Sequence, residues 1–447
     1  MTIDLKSWIE ERRITEVECL VSDLSGIARG KILPAQKFLR AIGEQGLRLP
    51  ESIFGQTVTG EYIEERDLDP RASDVFLRPV PESIRMVPWY TEPTAQVIND
   101  AFYFDGRPVD VAARAVLKRV LDLYADKGWR PVVAPELEFF LVKVNTDPDY
   151  PLEPPVGRSG RPETARQAYG IDAVNEFDPL FEDVYDYCEA QNIDVDTLTH
   201  ESGAAQMEMN FNHGNAMELA DQTFLFKRTL RQAALGHNVY ATFMAKPMQD
   251  EPGSSMHIHQ SVVDVETGRN LFAAADGTNT EFFLHYIGGL QKYLWAAMPL
   301  MAPYVNSYRR LVPDSDAPVN AHWGIDNRTT GFRVPVSSPE GRRVENRVPG
   351  ADANPYLAFA ASLACGYLGV MEKIEPSKPV EGSAYQLAAN LPRHLEDALR
   401  RLNRTKPLKD MLGQRFVNVL TQVKEEESRA YRKVISAWER EFLLLNV

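Results

Sequence analysis

The sequence predicts an α+β chain in which a small β-rich unit, ending near Gly106, precedes a larger sheet or barrel domain with outer helices. Three observations predict it. Short strand-like runs with Pro-rich connections make up the N-terminal stretch. After Asp110, helix-period and strand-period segments alternate towards the C-terminus. Four of the later strand-like segments also share a period-two alternation that puts charge on one face and apolar side chains on the other.

In chain order, residues 14–33 read strand, turn, strand: ITEVECLVSD, then LSGIARGK, then an apolar ILP. Further short strands are expected at 83–88 and 95–98. Asp110 opens VAARAVLKRVLDLYADKG, whose apolar positions recur at helical spacing and whose Gly128 stops the helix. Residues 147–164, rich in Pro, Gly and Arg, read as a surface loop. Residues 355–371 are the most apolar stretch. Ser362, Gly366 and Tyr367 interrupt it, and it is shorter than the ~20 residues a bilayer span needs, so it reads as a buried helix capped by Asn354 with Pro355 at the first position. At the end, Tyr431, Val434, Trp438 and Phe442 lie at helical spacing over 431–442, ahead of an apolar LLLNV. That face packs either into its own subunit's core or onto another copy of the chain.

The chain has 447 residues, 44% hydrophobic and 25% charged, enough apolar content for a large core. Its formal net charge of −14, with no offsetting basic run, argues against nucleic-acid and membrane-surface partners and favours cationic substrates. Cys19, Cys188 and Cys365 are scattered without CxxC spacing, which excludes a disulfide framework and a thiolate metal site. MTIDLKSWIEERR lacks the apolar region of a secretion signal, so the expected location is the cytoplasm.

The four alternating segments carry the chemistry. In PELEFFLV, Glu136 and Glu138 oppose Leu137, Phe139 and Leu141; in AQMEMNF, Gln206, Glu208 and Asn210 oppose Met207, Met209 and Phe211. In SMHIHQS, Ser255, His257, His259 and Ser261 share a face, and in RRVENRV, so do Arg343, Glu345 and Arg347. One segment of this kind would suit any antiparallel sheet with a wet face. Four of them, carrying carboxylates and imidazoles where solvent faces prefer Lys and Thr, suit divalent cations, because crowded carboxylates repel unless cations sit between them. The expectation is a binuclear Mg or Mn site. Arg309, Arg310, Arg328, Arg333, Arg343 and Arg347 supply forks that bind carboxylate and phosphate in bidentate fashion, although Arg309 reads equally as a partner of surface acids. No P-loop or GxGxxG is present, so ATP would bind through a less common fold.

These motifs, PELEF, HE…QxE, GSxMHxHxS and RRxExR, resemble the glutamine synthetase superfamily in family order and over essentially the whole chain. The resemblance implies a β-grasp domain over 1–105 and a glutamine-synthetase-type catalytic domain over 106–447, an antiparallel-rich sheet or half-barrel with outer helices. It implies that Glu138, Glu201 and Glu208 surround one metal and Glu136, His257 and Glu345 the other, giving two or more Mg2+ or Mn2+ ions per site. Gly253, Arg310 and Arg347 would bind glutamate, Arg328 would stabilise the transferring phosphate, and His259, Ser261, Arg333 and Arg343 would line the ATP pocket. Asp23, Asp74 and Tyr169 match residues of the amine site, the two aspartates coming from a neighbouring subunit in two stacked hexameric rings, a homododecamer.

The chain departs from ammonia-using members at Asp316, where a glutamate is usual, at Glu340 in place of a lysine, and at Pro252 in place of an asparagine. NSYRR, WGxxNRT and PGADANPYLA resemble the γ-glutamylpolyamine synthetase branch, γ-glutamylputrescine synthetases above all. The implied activity is ATP-dependent joining of glutamate to a small amine, putrescine or a relative, through γ-glutamyl phosphate. Asp23 and Asp316 would then take the ammonium proton, and Trp323 would contact the far cation. An ammonia-using glutamine synthetase is the alternative reading, and a non-catalytic relative is the third. Tyr385 lies where some members of the superfamily are adenylylated.

Overall fold

The computed structural model describes residues 3–44, 46–63, 68, 74–313 and 316–447. The first sheet contains β1 (Glu16–Ser22), β2 (Ala28–Pro34), β3 (Arg48–Pro50), β4 (Asp74–Pro79), β5 (Arg85–Met86) and β6 (Thr94–Phe102). Its order is β2-β1-β6-β4-β3, with β5 also against β6. The expected hairpin is present: Glu16 faces Pro34 and Ser22 faces Ala28, and Gly26 turns the chain with a left-handed φ of 78° that glycine adopts without steric cost.

The second sheet is built around one long strand. It contains β7 (Trp129–Lys143), β8 (Val195–His200), β9 (Gln206–Phe211), β10 (Gly214–Asn215), β11 (Val239–Thr242), β12 (Met256–Asp264), β13 (Trp323–Ile325), β14 (Phe332–Val334) and β15 (Val344–Asn346), in the order β13-β14-β15-β12-β7-β9-β8. All pairs are antiparallel except β13 with β14. β12 and β11 run along one edge of β7, while β10 and β9 run along the other. This α+β arrangement is the fold class the alternation predicts.

The expected face assignment holds as well. Leu137, Phe139, Met207, Met209, Met256 and Ile258 are fully buried in the core, beneath helices that include Ala113–Ala125, Ala216–Gly236 and Pro355–Glu372. The helix after Asp110 runs from Ala113 to Ala125 and ends ahead of Gly128, whose φ is 72°. Asn354 caps the apolar helix by accepting from the Tyr356 amide, and its own amide donates to Ser22 Oγ at 3.1 Å and to the Asp23 carbonyl at 2.8 Å. One side chain thus starts the core helix and ties it to the N-terminal hairpin. Among the described residues no helix is long and apolar enough to cross a membrane. The three cysteines are free and buried, and burial pushes the Cys19 and Cys188 thiols up to about 12.

The C-terminus corrects one expectation. A single helix over 431–442 does not form: one helix ends at Tyr431 and a new one, Ala437–Leu443, starts at a capping box in which Ser436 and Glu439 satisfy each other's backbone amides. Its apolar side chains do not enter the chain's own core, since Trp438 is 61% exposed and Leu445 92%.

Candidate active site

Strand register puts the predicted ligands side by side. Across the second sheet His257 faces Glu136, Glu138 faces Glu208, and His259 faces Glu345, which in turn faces Arg333. Because side chains alternate along each strand, these groups share one face, and a cavity of about 690 Å3 opens over it. Glu136, Glu138, Glu201, Glu208, His257, Arg310, Arg333 and Arg347 all line this cavity.

Two ligand-like groupings border it, with Glu345 buried beneath the lining. Donor atoms of Glu136, His257 and Glu345 lie within 4.8 Å of one another, and so do those of Glu138, Glu208 and His257. Glu136 faces His257 Nδ1 at 3.3 Å and His259 Nε2 at 2.8 Å. Glu138 accepts from Ser255 Oγ at 2.5 Å and from the Ser255 amide at 2.8 Å, and Gln206 donates to it at 3.3 Å. Glu345 is fully buried between Arg333, at 2.7 Å, and Arg347.

The electrostatics divide the carboxylates. Burial opposes the ionisation of Glu136, but hydrogen bonds from His257 and His259 outweigh it and hold its carboxyl far below the usual range. Burial likewise works against Glu345, yet Arg347 and His257 bring it down to about 2. On the other side, burial and the neighbouring Glu138 raise Glu201 to about 7. Burial and four neighbouring glutamates push Glu208 well above the usual range. A set of oxygen and nitrogen donors short of positive charge is what hard divalent cations fit, because a cation replaces the repulsion between carboxylates with attraction to each.

The glutamate-binding candidates converge as well. Arg310 is buried and donates to the Val348 carbonyl. Burial lowers it to about 10 against the pull of Glu138 and Asp352. Gly253 is required beside it: a Cβ there would stand 2.3 Å from Arg310 Cγ and 2.5 Å from the Ala245 carbonyl oxygen. Arg347 Nε is buried without a hydrogen-bond partner among the described residues.

Other candidates take different places. Tyr169, Asp316, Arg328 and Pro252 line the same cavity, Tyr169 and Asp316 with left-handed φ values of 60° and 59°. Of the nucleotide candidates only Arg333 lines it. His259 and Ser261 lie farther along β12, and Arg343 donates to His259 Nδ1 at 3.0 Å. Asp23 and Asp74 do not reach the cavity of their own chain. Asp23 is buried in its hairpin, holding the Ser25 and Ile27 amides at 2.9 Å and Arg29 at 2.8 Å, and Asp74 is exposed at the start of β4. Trp323 is a correction: it is 4% exposed, its indole N–H donates to the Ser377 carbonyl at 2.7 Å, and it does not line the cavity, so its ring is taken up in packing. Glu340 is exposed and outside, and Tyr385 lines the cavity.

Sequence reasoning gave no role to Ser255 and Gln206, which hold Glu138, or to Asp352, which accepts from Ser307 at 2.6 Å beside Arg310. The first two were visible as polar members of the alternating faces. Asp352 lies in PGADAN, a turn with no periodic signal.

Comparison with known proteins gives a consistent answer. The family described as glutamine synthetase, catalytic domain, matches residues 110–443. The gamma-glutamylputrescine synthetase of Escherichia coli is 34% identical, covering 100% of this chain and 95% of the relative. A glutamine synthetase of Pyrococcus abyssi is 33% identical, covering 94% and 92%. A solved structure titled as a GmaS/ADP complex superposes with a TM-score of 0.82 at 29% identity, covering 99% of this chain and 100% of that one.

Proposed function

The chain belongs to the glutamine synthetase family, and from that premise we propose that it is an ATP-dependent ligase joining the γ-carboxylate of glutamate to a small amine, with putrescine or a related polyamine as donor. The observation that carries this reading is the convergence of five glutamates and His257 with Arg310, Arg333 and Arg347 around one face. The full-length relative named for putrescine and the structure named for ADP support the amine and the nucleotide.

A carboxylate is a poor electrophile, so glutamate must be activated, and phosphoryl transfer from ATP provides γ-glutamyl phosphate. Glu136, His257 and Glu345 would hold one divalent cation and Glu138, Glu201 and Glu208 another; such ions, when bound, neutralise phosphate charge. Arg310 and Arg347, beside Gly253, would fix the glutamate carboxylates, with Arg347 Nε as a buried donor left over for one of them. Arg328, exposed at the cavity wall, would meet the equatorial oxygens of the transferring phosphoryl group. His259, Ser261, Arg333 and Arg343 would bind the nucleotide. An alkylammonium resembles the lysine side chain, with a pKa near ~10.4, so a carboxylate must bind the cation and take its proton before nitrogen attacks. Asp316 lines the cavity of its own chain for that task. Asp23 and Asp74, outside that cavity, would serve a neighbouring subunit through an N-terminal domain spanning 1–105. The assembly would be two stacked hexameric rings in the cytoplasm, with the exposed C-terminal apolar side chains between copies; a monomeric mass in solution would remove this part.

Glutamate-dependent phosphate release, measured with putrescine, spermidine, ethanolamine or ammonium at equal neutral-pH concentration, tests the reading. Putrescine or a related polyamine should be fastest. A preference for ammonium would make the chain a glutamine synthetase proper, and no release with any donor would favour the non-catalytic reading.

A further inference from the structure

We propose that Glu163 is a positioning residue that latches residues 163–169 into a fixed wall of the cavity and thereby sets which amines fit. Apart from Tyr169, matched by resemblance to the amine site, the sequence marks in this stretch only the end of a surface loop, and most of it is exposed. Glu163 departs from that pattern. Its side chain turns inward, 13% exposed, and Oε2 meets His200 Nε2 at 3.0 Å and the Ala205 amide at 2.7 Å. The other ring nitrogen of His200 meets the Glu201 carbonyl at 2.7 Å, so the imidazole joins the loop to the turn that presents Glu201 to the cavity.

The loop returns to the same residue through its backbone. The Tyr169 amide donates to the His200 carbonyl at 2.9 Å, and between the two anchors Arg166 donates to the Asp250 carbonyl at 3.0 Å. Tyr169 holds a left-handed φ of 60° with a bulky side chain 66% exposed. Such a conformation is costly for a residue other than glycine and persists where the surroundings over-determine it, most often at functional sites. Here the surroundings are the Glu163–His200 pair and the amide anchored on His200. What they hold in place is Ala168 and Tyr169 against the cavity that contains Glu201 and Asp316.

An incidental surface contact would account for one of these bonds. It does not account for a carboxylate buried from an exposed loop, a buried imidazole bridging two turns and a strained tyrosine closing the ring. The ligand class follows from the wall: an aromatic face beside acidic groups suits an alkyl-ammonium stem. This inference rests on the reading of the cavity as a glutamate–amine ligase site.

The test uses full-length Glu163→Gln and Glu163→Ala. The amine KM should rise roughly tenfold, the size of effect expected for losing one hydrogen bond to a charged group, while the KM values for ATP and glutamate stay within about twofold. Trypsin should cut faster after Arg158 and Arg166 in both variants, and Glu163→Asp should restore part of both effects. Unchanged amine KM and unchanged cleavage would overturn the latch. So would an equal rise in all three KM values with a lowered melting temperature, which is the mark of a merely structural role. If the wild type turned over no amine, the ligase reading would fail, and equal cleavage of wild type and variants would then separately overturn the latch.

Discussion

Among the cavities formed by the described residues, two are nearly equal in volume, about 690 Å3 over the polar face of the second sheet and about 720 Å3 behind the N-terminal hairpin. The second is walled by Ile27, Val58, Ala241, Phe243, Val305 and Val434, with buried charges beneath it. Two of those charges are satisfied at home: Lys227 donates to the Ala351 and Ala353 carbonyls at 2.6 and 2.7 Å, and Glu427 meets Lys424 at 2.8 Å. In the first cavity, acids face acids and three of them, Glu138, Glu201 and Glu208, are driven upward. Volume therefore does not mark the site; the crowding of like charge does, because carboxylates that repel one another are arranged for a cation.

Substitutions can break that contrast. Glu345→Gln keeps the shape of a fully buried side chain but removes the charge shared by Arg333 and Arg347, so turnover should fall roughly 100-fold or more, read as phosphate release. A rate within tenfold of wild type would place the chemistry elsewhere. Lys227 lines the second cavity and not the first, so Lys227→Met is the counterpart substitution. It should lower stability by about 1–3 kcal/mol in denaturant melts, since two buried carbonyls lose their donor, and leave the amine KM within about twofold.

The contrast also has a pH signature. Glu201 is raised to about 7, so in metal-free protein its contribution is present below its ordinary value of 4.5 and is lost as pH rises towards 7, at up to about 1.4 kcal/mol per pH unit. Glu208 acts in the same direction. Glu345, lowered to about 2, has the opposite sign: its contribution is present above 4.5 and is lost as pH falls towards 2. Melting at pH 5 and pH 7.5 should therefore show metal-free protein weakening towards the higher pH, with added Mn2+ or Mg2+ stabilising it most at pH 7.5. Equal stabilisation at both pH values would deny that the carboxylates are poised for a cation.

Much of the site was legible because it lies on strands. The alternation in PELEFF, QMEMNF and MHIHQS survives folding, as period two is a property of the backbone and neighbouring registers bring like faces together. Glu201 had no such signal. It lies beyond the end of β8 beside Ser202, and only the family resemblance pointed to it. Trp323 was misread because an aromatic in a polar string looks available until its N–H is seen on Ser377. The break before Ala437 was written in SAWE, the Ser436 to Glu439 spacing of a capping box, and was overridden by apolar periodicity that continued across it. The inward turn of Glu163 had no local signal, because its partners lie 37 and 42 residues away.

On the proposed function, the cavity activates the γ-carboxylate of glutamate by phosphorylation and then passes the acyl group to nitrogen. Glutamate labelled with 18O in that carboxylate, incubated with ATP, Mg2+ and putrescine, tests it most directly. One label per turnover should appear in the released phosphate, and the organic product should be the γ-glutamyl amide by mass. Phosphate free of label, or label transfer without an amide product, would contradict the account.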